Sequence, residues 1–298
     1  MINKLAGRDG VALNAAASGM LAIGGDLTVH RLGFGAMRIT GDGVWGEPKN
    51  PDEAIRVLRR AVELGINLID TADSYGPEVS ERLIAEALYP YAAGLVIATK
   101  AGFDRSGPNR WTMNGRPEHL RKACEGSLRR LKLERIDLYQ LHRIDPAVPA
   151  DDQIGTFVEL QKEGKVKHIG LSEVSVAQIK HAQSMVPIVS VQNRYSVTDR
   201  AAEDVLEYCE QQKIGFIPWF PLGAGELAKP EGALARTAAE LKVSTSQLAL
   251  AWLLWRSPVM LPIPGTSKVA HLDENVATAA LRVDEARMKA LGKLAQSA

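Results

Sequence analysis

The stretch INLIDTADSYG, residues 66–76, decides how the rest of the chain is interpreted. It opens with an apolar run that predicts a buried strand, and it closes with two carboxylates, two hydroxyls, a tyrosine and a glycine. Polar side chains gathered where a buried strand ends are typical of α/β proteins, whose chemistry takes place at the carboxyl ends of the strands. The stretch therefore predicts a strand of a parallel sheet and part of a functional site.

Seven more apolar runs of similar length recur along the chain. They do not alternate strictly between apolar and polar residues, which favours strands buried on both faces, as in a parallel sheet. The eight predicted strands are Leu32–Ala36, Ile66–Asp70, Leu95–Lys100, Ile136–Leu141, Lys167–Ser172, Ile188–Gln192, Ile214–Trp219 and Val259–Ile263.

Segments with a helical spacing of apolar residues separate these strands. The first begins at Pro51, directly after an Asn50 that is a good N-cap residue. The predicted helices are Pro51–Leu64, Arg116–Leu131, Asp152–Glu163, Val176–Met185, Ala201–Gln211, Leu234–Leu241 and Ser246–Trp255, with a closing helix over Asp284–Gln296.

Strand and helix alternating through 298 residues predict an α/β fold of the (β/α)8 (TIM) barrel type. We expect a single domain over residues 1–298, with extra helices at its C-terminal end. Two short runs in Ala16–Val29, on either side of Gly24-Gly25-Asp26, predict a β-hairpin that precedes the first barrel strand and closes the bottom of the barrel.

An open, doubly wound sheet is the alternative fold. It is favoured by GAGELA, residues 223–228, which fits the loose dinucleotide-binding pattern G-x-G-x-x-A. That pattern normally follows the first strand of its domain, whereas this one follows the seventh predicted strand. Loops after strands 7 and 8 of a barrel commonly bind phosphate, so the barrel also explains the glycines.

Composition narrows the class of protein. Lys plus Arg number 36 and Asp plus Glu 35, and this balance argues against a partner that is nucleic acid or a membrane surface. No apolar run approaches about 20 residues, and the N-terminus has no secretory signal, so we expect a cytoplasmic protein. Cys124 and Cys209 lack Cys-x-x-Cys spacing and are expected to be ordinary thiols.

Four ionisable side chains fall at the ends of neighbouring predicted strands. Asp70 ends the second strand and Tyr75 follows it, Lys100 ends the third, and His142 follows the fourth. Each alone has an ordinary structural explanation, such as a turn cap, a solvated strand end or a buried histidine. Their convergence at one barrel mouth indicates a catalytic site instead.

The four groups suit proton donation to a carbonyl oxygen. A phenol, with a pKa of about 10, is a weak acid near neutral pH, and the Lys100 ammonium is expected to lower the pKa of Tyr75. Asp70 would keep Lys100 charged, and His142 would orient the substrate oxygen, where negative charge develops. Because no side chain supplies a hydride, the chemistry implies a nicotinamide cofactor.

Several motifs, in this order, resemble the aldo-keto reductase family over nearly the whole chain. They are Gly65-x4-Asp70-Thr71-Ala72-x2-Tyr75-Gly76 with Ser80-Glu81, LRRLKLERIDLYQLH (128–142), Gly170-Leu171-Ser172 and IPGTSKVAHLDEN (263–275). The block HRLGFGAMRITGDGVWGEP (30–48) is similar to a bacterial subgroup of short reductases of small carbonyl compounds, including pyridoxal-reductase-like members. The resemblance implies a catalytic tetrad of Asp70, Tyr75, Lys100 and His142, with Tyr75 as the general acid.

The resemblance also implies a cofactor site. Ser172 and Gln192 match residues that hold the nicotinamide carboxamide, Trp219 matches the aromatic side chain that stacks on the ring, and residues 221–223 would lie along the pyrophosphate. Residues 265–275 match the grip on the adenosine end. The full set is Gly35, Ala36, Met37, Ser172, Gln192, Trp219, Pro221, Leu222, Gly223, Gly265, Thr266, Ser267, Lys268, His271, Glu274 and Asn275.

Three positions depart from the family pattern. Glu173 stands beside Ser172 where the family usually has asparagine, and a carboxylate cannot donate to the carboxamide oxygen. His271 replaces a frequent arginine and Gly265 a frequent lysine, which removes positive charge near a 2′-phosphate. Lys268 remains, and the resemblance implies NADPH/NADP+ in preference to NADH.

Long loops are expected to build the substrate side of the site. Trp111, in the polar and glycine-rich loop 101–115, and Trp45, in the loop after the first strand, are predicted pocket walls. Arg143 either faces an anionic substrate or pairs with Asp145, and the sequence does not choose between the two. No long C-terminal loop follows the last helix, which predicts an open pocket and broad turnover of aldehydes and ketones.

The predicted function is NADPH-dependent reduction of a small carbonyl compound, reversible to alcohol oxidation, by a monomer or a weak homo-oligomer. A second hypothesis is a cofactor-binding regulatory subunit of a membrane channel with little turnover, a role that some relatives of this family have. A third, a metal-dependent hydrolase or isomerase, has little support. The six histidines show neither His-x-His nor His-x-x-x-His spacing, so no metal site is predicted.

Overall fold

A curled parallel sheet surrounded by helices forms the centre of the protein, as seen in a computed structural model that describes residues 13–222 and 232–294. The strands are β1 Met20–Ile23, β2 Leu27–His30, β3 Phe34–Gly35, β4 Leu68–Asp70, β5 Val96–Ala101, β6 Phe103–Gly107, β7 Arg110–Met113, β8 Ile136–Leu141, β9 Val166–Ser172, β10 Ile188–Gln192 and β11 Gly215–Phe216. The helices are α1 Pro51–Glu63, α2 Val79–Leu88, α3 Pro117–Leu131, α4 Ala150–Lys162, α5 Val176–Gln183, α6 Glu203–Gln212, α7 Ala233–Glu240, α8 Thr245–Arg256, α9 Val269–Ala277 and α10 Glu285–Leu294.

The large sheet has the strand order β11-β10-β9-β8-β5-β4-β3, and every neighbouring pair in it is parallel. The eighth predicted strand, Val259–Ile263, closes the ring without forming a regular strand. On one side Leu261 N–H donates to the Phe216 carbonyl at 2.8 Å, and on the other Gly33 N–H donates to the Pro262 carbonyl at 3.0 Å. Pro262 has no N–H, which interrupts the ladder. The predicted (β/α)8 barrel is confirmed.

The predicted N-terminal hairpin is also present, formed by the antiparallel pair β1–β2. Its buried side chains Ile23 and Val29 belong to the same apolar cluster as Leu68 and Leu138 from the barrel strands. The turn of the hairpin reaches the starting end of β9, where His168 Nε2 lies 2.6 Å from the Asp26 carboxylate. The hairpin therefore closes the amino-terminal end of the barrel, opposite the end where the strands finish.

The sequence analysis missed two of the barrel helices, α2 and α9. Helix α2 turns polar residues inward, which hides the apolar periodicity that reveals a helix. Its Glu81 is fully buried and accepts hydrogen bonds from Thr99 Oγ1 at 2.5 Å and from Arg130 Nε at 2.7 Å. Helix α9 begins directly after Lys268, inside a motif that had been interpreted only as a cofactor loop.

Cys124 and Cys209 are buried free thiols. Among the described helices, none combines the length with the apolar composition that crossing a membrane requires. In residues 13–222 and 232–294, no three His, Cys, Asp or Glu side chains are grouped in a way that could hold a metal ion.

Candidate active site

A buried ion pair between neighbouring strands lies at the bottom of the candidate site. Asp70 pairs with Ala98 in the sheet, so Lys100, two residues further along β5, points to the same face. Lys100 Nζ lies 2.5 Å from Asp70 Oδ1 and donates to the Thr71 carbonyl at 2.8 Å. Both side chains are shielded from solvent, with exposures of 0% and 2%. A buried ammonium of this kind is tolerated because its charge is paired and its donors are used.

Two glutamines hold the other oxygen of the Asp70 carboxylate. Gln140 Nε2, from β8, and Gln192 Nε2, from β10, each donate to Asp70 Oδ2 at 2.9 Å. Gln140 was not predicted as a site residue. Its only sequence signal is that a polar residue occurs within the apolar run 136–141. The structure shows that its side chain is buried.

Tyr75 lies above the ion pair, with its hydroxyl 3.4 Å from Lys100 Nζ. Burial raises the pKa of the Tyr75 phenol, and the Lys100 ammonium opposes this rise without cancelling it. The expectation of a lowered Tyr75 pKa is therefore wrong, because burial outweighs the Lys100 ammonium and the Asp70 carboxylate adds to the rise. The phenol is a neutral proton donor throughout the neutral pH range.

Lys100 stays charged in this setting. Burial alone would lower the pKa of its ammonium, but the Asp70 carboxylate and the Tyr75 phenol outweigh burial, and the pKa is raised. The predicted role of Asp70 in keeping Lys100 charged agrees with this direction.

His142 follows β8 and stands beside Tyr75, with 5.9 Å between the two ring centroids. Burial lowers the pKa of His142 well below its usual value, and the cations Lys100, Arg143 and Arg105 lower it further. The imidazole is therefore neutral near pH 7. Its Nδ1 lies 3.4 Å from Ser74 Oγ, and a Ser74 hydroxyl that donates there leaves the ring proton on Nε2.

The four predicted catalytic residues meet at one cavity of about 460 Å³ at the carboxyl ends of the strands. Asp70, Tyr75 and His142 line it, while Lys100 lies beneath Tyr75 without reaching the surface. The other predicted site residues that line the cavity are Gly35, Met37, Trp111, Arg143, Ser172, Gln192, Trp219, Pro221, Leu222 and Gly265. Five lining residues were not predicted, namely Arg38, Phe103, Phe220, Ile263 and Pro264.

One side of the cavity offers the hydrogen bonds that a primary carboxamide needs. Ser172 Oγ accepts from Arg143 Nη1 at 3.0 Å, which leaves the Ser172 hydroxyl hydrogen free to donate. Gln192 uses its Nε2 on Asp70, which leaves its Oε1 free to accept. A donor for the carboxamide oxygen and an acceptor for its NH2 group are thus both present, so the chain fits a nicotinamide here.

Glu173 does not take part in this arrangement. Its Oε1 accepts from the Trp219 indole N–H at 2.5 Å and from the Arg194 backbone N–H at 2.6 Å. The carboxylate that replaces the usual asparagine therefore fixes the Trp219 ring at the cavity wall. Ser172 is left as the side chain that can donate to the carboxamide oxygen.

Comparison with known proteins agrees with this geometry. The model of the "Aldo/keto reductase family" matches residues 31–296. The chain belongs to the aldo/keto reductase family. It is 56% identical over 272 residues to an uncharacterized oxidoreductase, C215.11c, of Schizosaccharomyces pombe, covering 91% of this chain and 88% of that protein. It is 43% identical over 267 residues to pyridoxine 4-dehydrogenase of Escherichia coli, covering 88% and 93%.

A solved structure of a Gox0644 variant in complex with NADPH has the same fold as this aldo/keto reductase. The TM-score is 0.72 and the identity 25%, over 90% of each chain. Family membership and the oxidoreductases among its relatives make the protein an oxidoreductase.

The far end of the predicted cofactor site in this reductase lies beside the barrel closure. A Cβ atom on Gly265 would come within 2.5 Å of the Gly35 carbonyl, so the two backbones touch and only glycine fits. Ser267, Lys268 and His271 are exposed in the segment that follows Gly265, and Thr266 Oγ1 accepts from Lys268 N–H at 3.1 Å. Glu274 is half-buried and Asn275 buried on α9. Gly223 lies outside the described residues.

Ala36 lies behind the cavity wall and does not line it. Its carbonyl accepts from Ser80 Oγ at 3.1 Å, and Ser80 Oγ lies 2.8 Å from Thr71 Oγ1. The hydroxyls of Thr71 and Ser80 thus connect the first two loops of the mouth. Asp70 and Tyr75, in the same segment as Thr71, face the cavity.

The predicted loop 101–115 is largely a β-hairpin, β6–β7, which stands over the cavity. It contributes Trp111, as predicted, and Phe103, which was missed. The Phe103 and His142 ring centroids are 4.8 Å apart, and those of Phe103 and Trp111 are 5.4 Å apart, both edge to face. Together with Tyr75 these rings form an aromatic wall.

Trp45 is not part of that wall. Its loop pairs with the loop after β4, through a bridge between Trp45 and Gly76. The Arg105 guanidinium lies 3.6 Å from the Trp111 ring centroid and 5.8 Å from that of Trp45. Trp45 therefore supports the hairpin through Arg105, and the prediction that it lines the cavity is wrong.

Proposed function

We propose that the protein catalyses the reversible, NADPH-dependent reduction of a small aldehyde or ketone to the alcohol, with Tyr75 as the proton donor. The observation that carries the proposal is the position of the Tyr75 hydroxyl, 3.4 Å from a buried and charged Lys100, at the wall of a cavity that His142 also lines. NADPH is chosen over NADH because Lys268 is exposed in the segment matched to the adenosine end and a related structure is an NADPH complex.

In this mechanism a bound nicotinamide supplies a hydride to the carbonyl carbon. The protein residues manage the oxygen. Neutral His142 donates a hydrogen bond from Nε2 and orients the carbonyl oxygen, and the Tyr75 O–H transfers its proton to that oxygen as negative charge develops there. The Lys100 ammonium stabilises the tyrosinate that remains, and Asp70, held by Gln140 and Gln192, keeps Lys100 in position.

The direct test is NADPH oxidation by the purified protein with a panel of small aldehydes and ketones. Pyridoxal belongs in the panel, because a relative 43% identical to this chain is a pyridoxine 4-dehydrogenase. We expect turnover of at least one panel member, and a lower KM for NADPH than for NADH. Tight NADPH binding without turnover of any panel member would instead support a cofactor-binding regulatory subunit.

The pH profile follows from the directions of the two pKa shifts. Reduction needs a protonated Tyr75, whose pKa is raised by burial, and a neutral His142, whose pKa is lowered by burial. We expect kcat for reduction to be flat from about pH 6 to pH 9 and to fall only as the pH rises past about 10. Oxidation of the alcohol needs the tyrosinate and should rise over the same alkaline range. A reduction profile that falls as the pH rises from 6 to 8 would contradict at least one of the two assignments.

A further inference from the structure

The cavity contains a guanidinium that no carboxylate of the described residues contacts. Arg143 Nη1 donates to the His142 carbonyl at 2.6 Å and to Ser172 Oγ at 3.0 Å, and the rest of the group has no hydrogen-bond partner among the described residues. Asp145, the partner considered from the sequence, is engaged elsewhere. Its two oxygens accept from the Gly115 and Ala147 backbone N–H groups at 2.9 Å each.

The carboxylates nearest to the cavity are also engaged elsewhere. Asp70 is shared between Lys100 and two glutamine amides, and Glu173 accepts from the Trp219 indole. Among the described residues, therefore, Arg143 forms no ion pair with a carboxylate, and Glu173, whose charge opposes the lowering of the Arg143 pKa by burial, acts on it only from a distance. A half-buried cation left in this state favours an anion at its free donors.

Two further cations add to this potential. Arg105 uses its donors on five backbone carbonyls and stacks on Trp111, so its charge is solvated by dipoles but not neutralised. Arg38 lines the cavity with an exposed side chain and has no ion-pair partner in the described part of the chain. Arg105 adds positive charge near His142, and Arg38 adds it at the end of the cavity beside Gly265.

An aromatic wall adjoins the Arg143 guanidinium. The Arg143 Cζ atom lies 5.7 Å from the ring centroid of Phe103, which belongs to this wall. It lies 6.0 Å from the ring centroid of Trp219. A flat or short apolar body can pack against the rings while a charged end reaches the guanidinium.

Resting on the proposed function, we infer that the substrate is an aldehyde or ketone that carries an anionic group, a carboxylate or a phosphate. That group binds the free donors of Arg143 while the carbonyl lies at Tyr75. The anionic group is unchanged in the reaction, since the carbonyl carbon takes the hydride and the carbonyl oxygen takes the Tyr75 proton. Arg143 is a specificity residue, which contacts substrate away from the reacting atoms.

Two pairs of substrates, each differing in an anionic group, test this inference. 4-Carboxybenzaldehyde and 4-nitrobenzaldehyde are nearly isosteric and differ by one negative charge, and pyridoxal 5′-phosphate and pyridoxal provide the phosphate arm. For each pair, kcat/KM with NADPH is measured for the wild type, Arg143→Gln, Arg143→Lys and Arg129→Gln. Arg129 is an exposed arginine on α3, so its variant controls for net charge.

We expect Arg143→Gln to lower kcat/KM for the anionic member of at least one pair by on the order of 10- to 100-fold more than for the neutral member. Arg143→Lys should fall between, because lysine keeps the charge but loses the fork of donors. Arg129→Gln should change both members of each pair alike. The arm with the larger selective loss identifies carboxylate or phosphate as the bound group.

The wild type alone provides a second test, which does not depend on how any variant folds. Added NaCl should raise KM for the anionic substrate and leave KM for its neutral partner nearly constant. The inference would be overturned if Arg143→Gln lowered kcat/KM equally for both members of both pairs, or if salt had no selective effect on KM. Turnover of the neutral aldehydes would still uphold the proposed function in that case. Absence of turnover with all four aldehydes would overturn the proposed function, and the inference with it.

Discussion

Replacing Tyr75 with phenylalanine is expected to lower kcat for carbonyl reduction by about 10²- to 10⁴-fold, the usual contribution of a positioned general acid. The change removes only the hydroxyl, so the ring keeps its edge-to-face contacts with Trp111 and His142. NADPH affinity, measured by the quenching of tryptophan fluorescence, should stay close to that of the wild type. The residual rate should no longer fall at alkaline pH.

A matched control separates this effect from the loss of any tyrosine hydroxyl. Tyr208 donates to Gln183 Oε1 at 2.6 Å on the outside of the barrel, and Tyr208→Phe should retain full activity. If Tyr75→Phe turns over as fast as this control, Tyr75 is not the proton donor and the mechanism fails at that step.

The second large effect is expected at the buried ion pair. Lys100→Met leaves the Asp70 carboxylate buried without its cation, and we expect a loss of about 3–5 kcal/mol in the free energy of unfolding. Asp70→Asn should also be costly, because it strands the Lys100 ammonium. The double variant should lose less than the sum of the single losses, since neither charge is then left alone. Urea unfolding of the four proteins measures these differences.

A surface pair provides the comparison. Lys289 and Glu285 lie 2.7 Å apart on α10 with exposures of 63% and 69%, and Lys289→Met should leave the free energy of unfolding nearly unchanged. Strict additivity of the Asp70 and Lys100 losses would mean that the two charges do not depend on each other.

The barrel and the convergence of the four proposed catalytic residues could be predicted because both depend on short-range order in the sequence. Asp70 ends its strand, Lys100 lies one residue before the end of its strand, and His142 directly follows its strand. In a parallel sheet the carboxyl ends of the strands lie together, so residues that end different strands are close to one another in the fold.

What the sequence did not predict depends on contacts across longer distances. Burial raises the pKa of Tyr75 more than the Lys100 ammonium lowers it, and the extent of burial does not appear in a motif. Trp45 and Trp111 are both loop tryptophans, and only the docking of Arg105 decides which one lines the cavity.

The β6–β7 hairpin did carry a signal that was not used. Phe103 and Trp111 flank the polar turn sequence SGPN, residues 106–109, as two short segments around a tight turn would. The many charged and polar residues of these strands made the segment resemble an irregular loop. They are present because most of the hairpin is exposed in the structure. The sequence left open whether Arg143 pairs with Asp145. In the structure two backbone N–H groups occupy the Asp145 carboxylate, and no side-chain pattern reveals contacts of this kind.

The β1–β2 hairpin has a consequence for how the enzyme resets between turnovers. Ile23 and Val29 pack into the apolar centre of the barrel from below, so Tyr75 meets water from the cavity side while Lys100 stays buried beneath it. In the proposed mechanism Tyr75 needs a new proton after each reduction, and the cavity that Tyr75 lines is where that proton would reach it and where the alcohol would leave. Reprotonation therefore waits for product release, and a slow-leaving alcohol delays the regeneration of the acid as well as the emptying of the site.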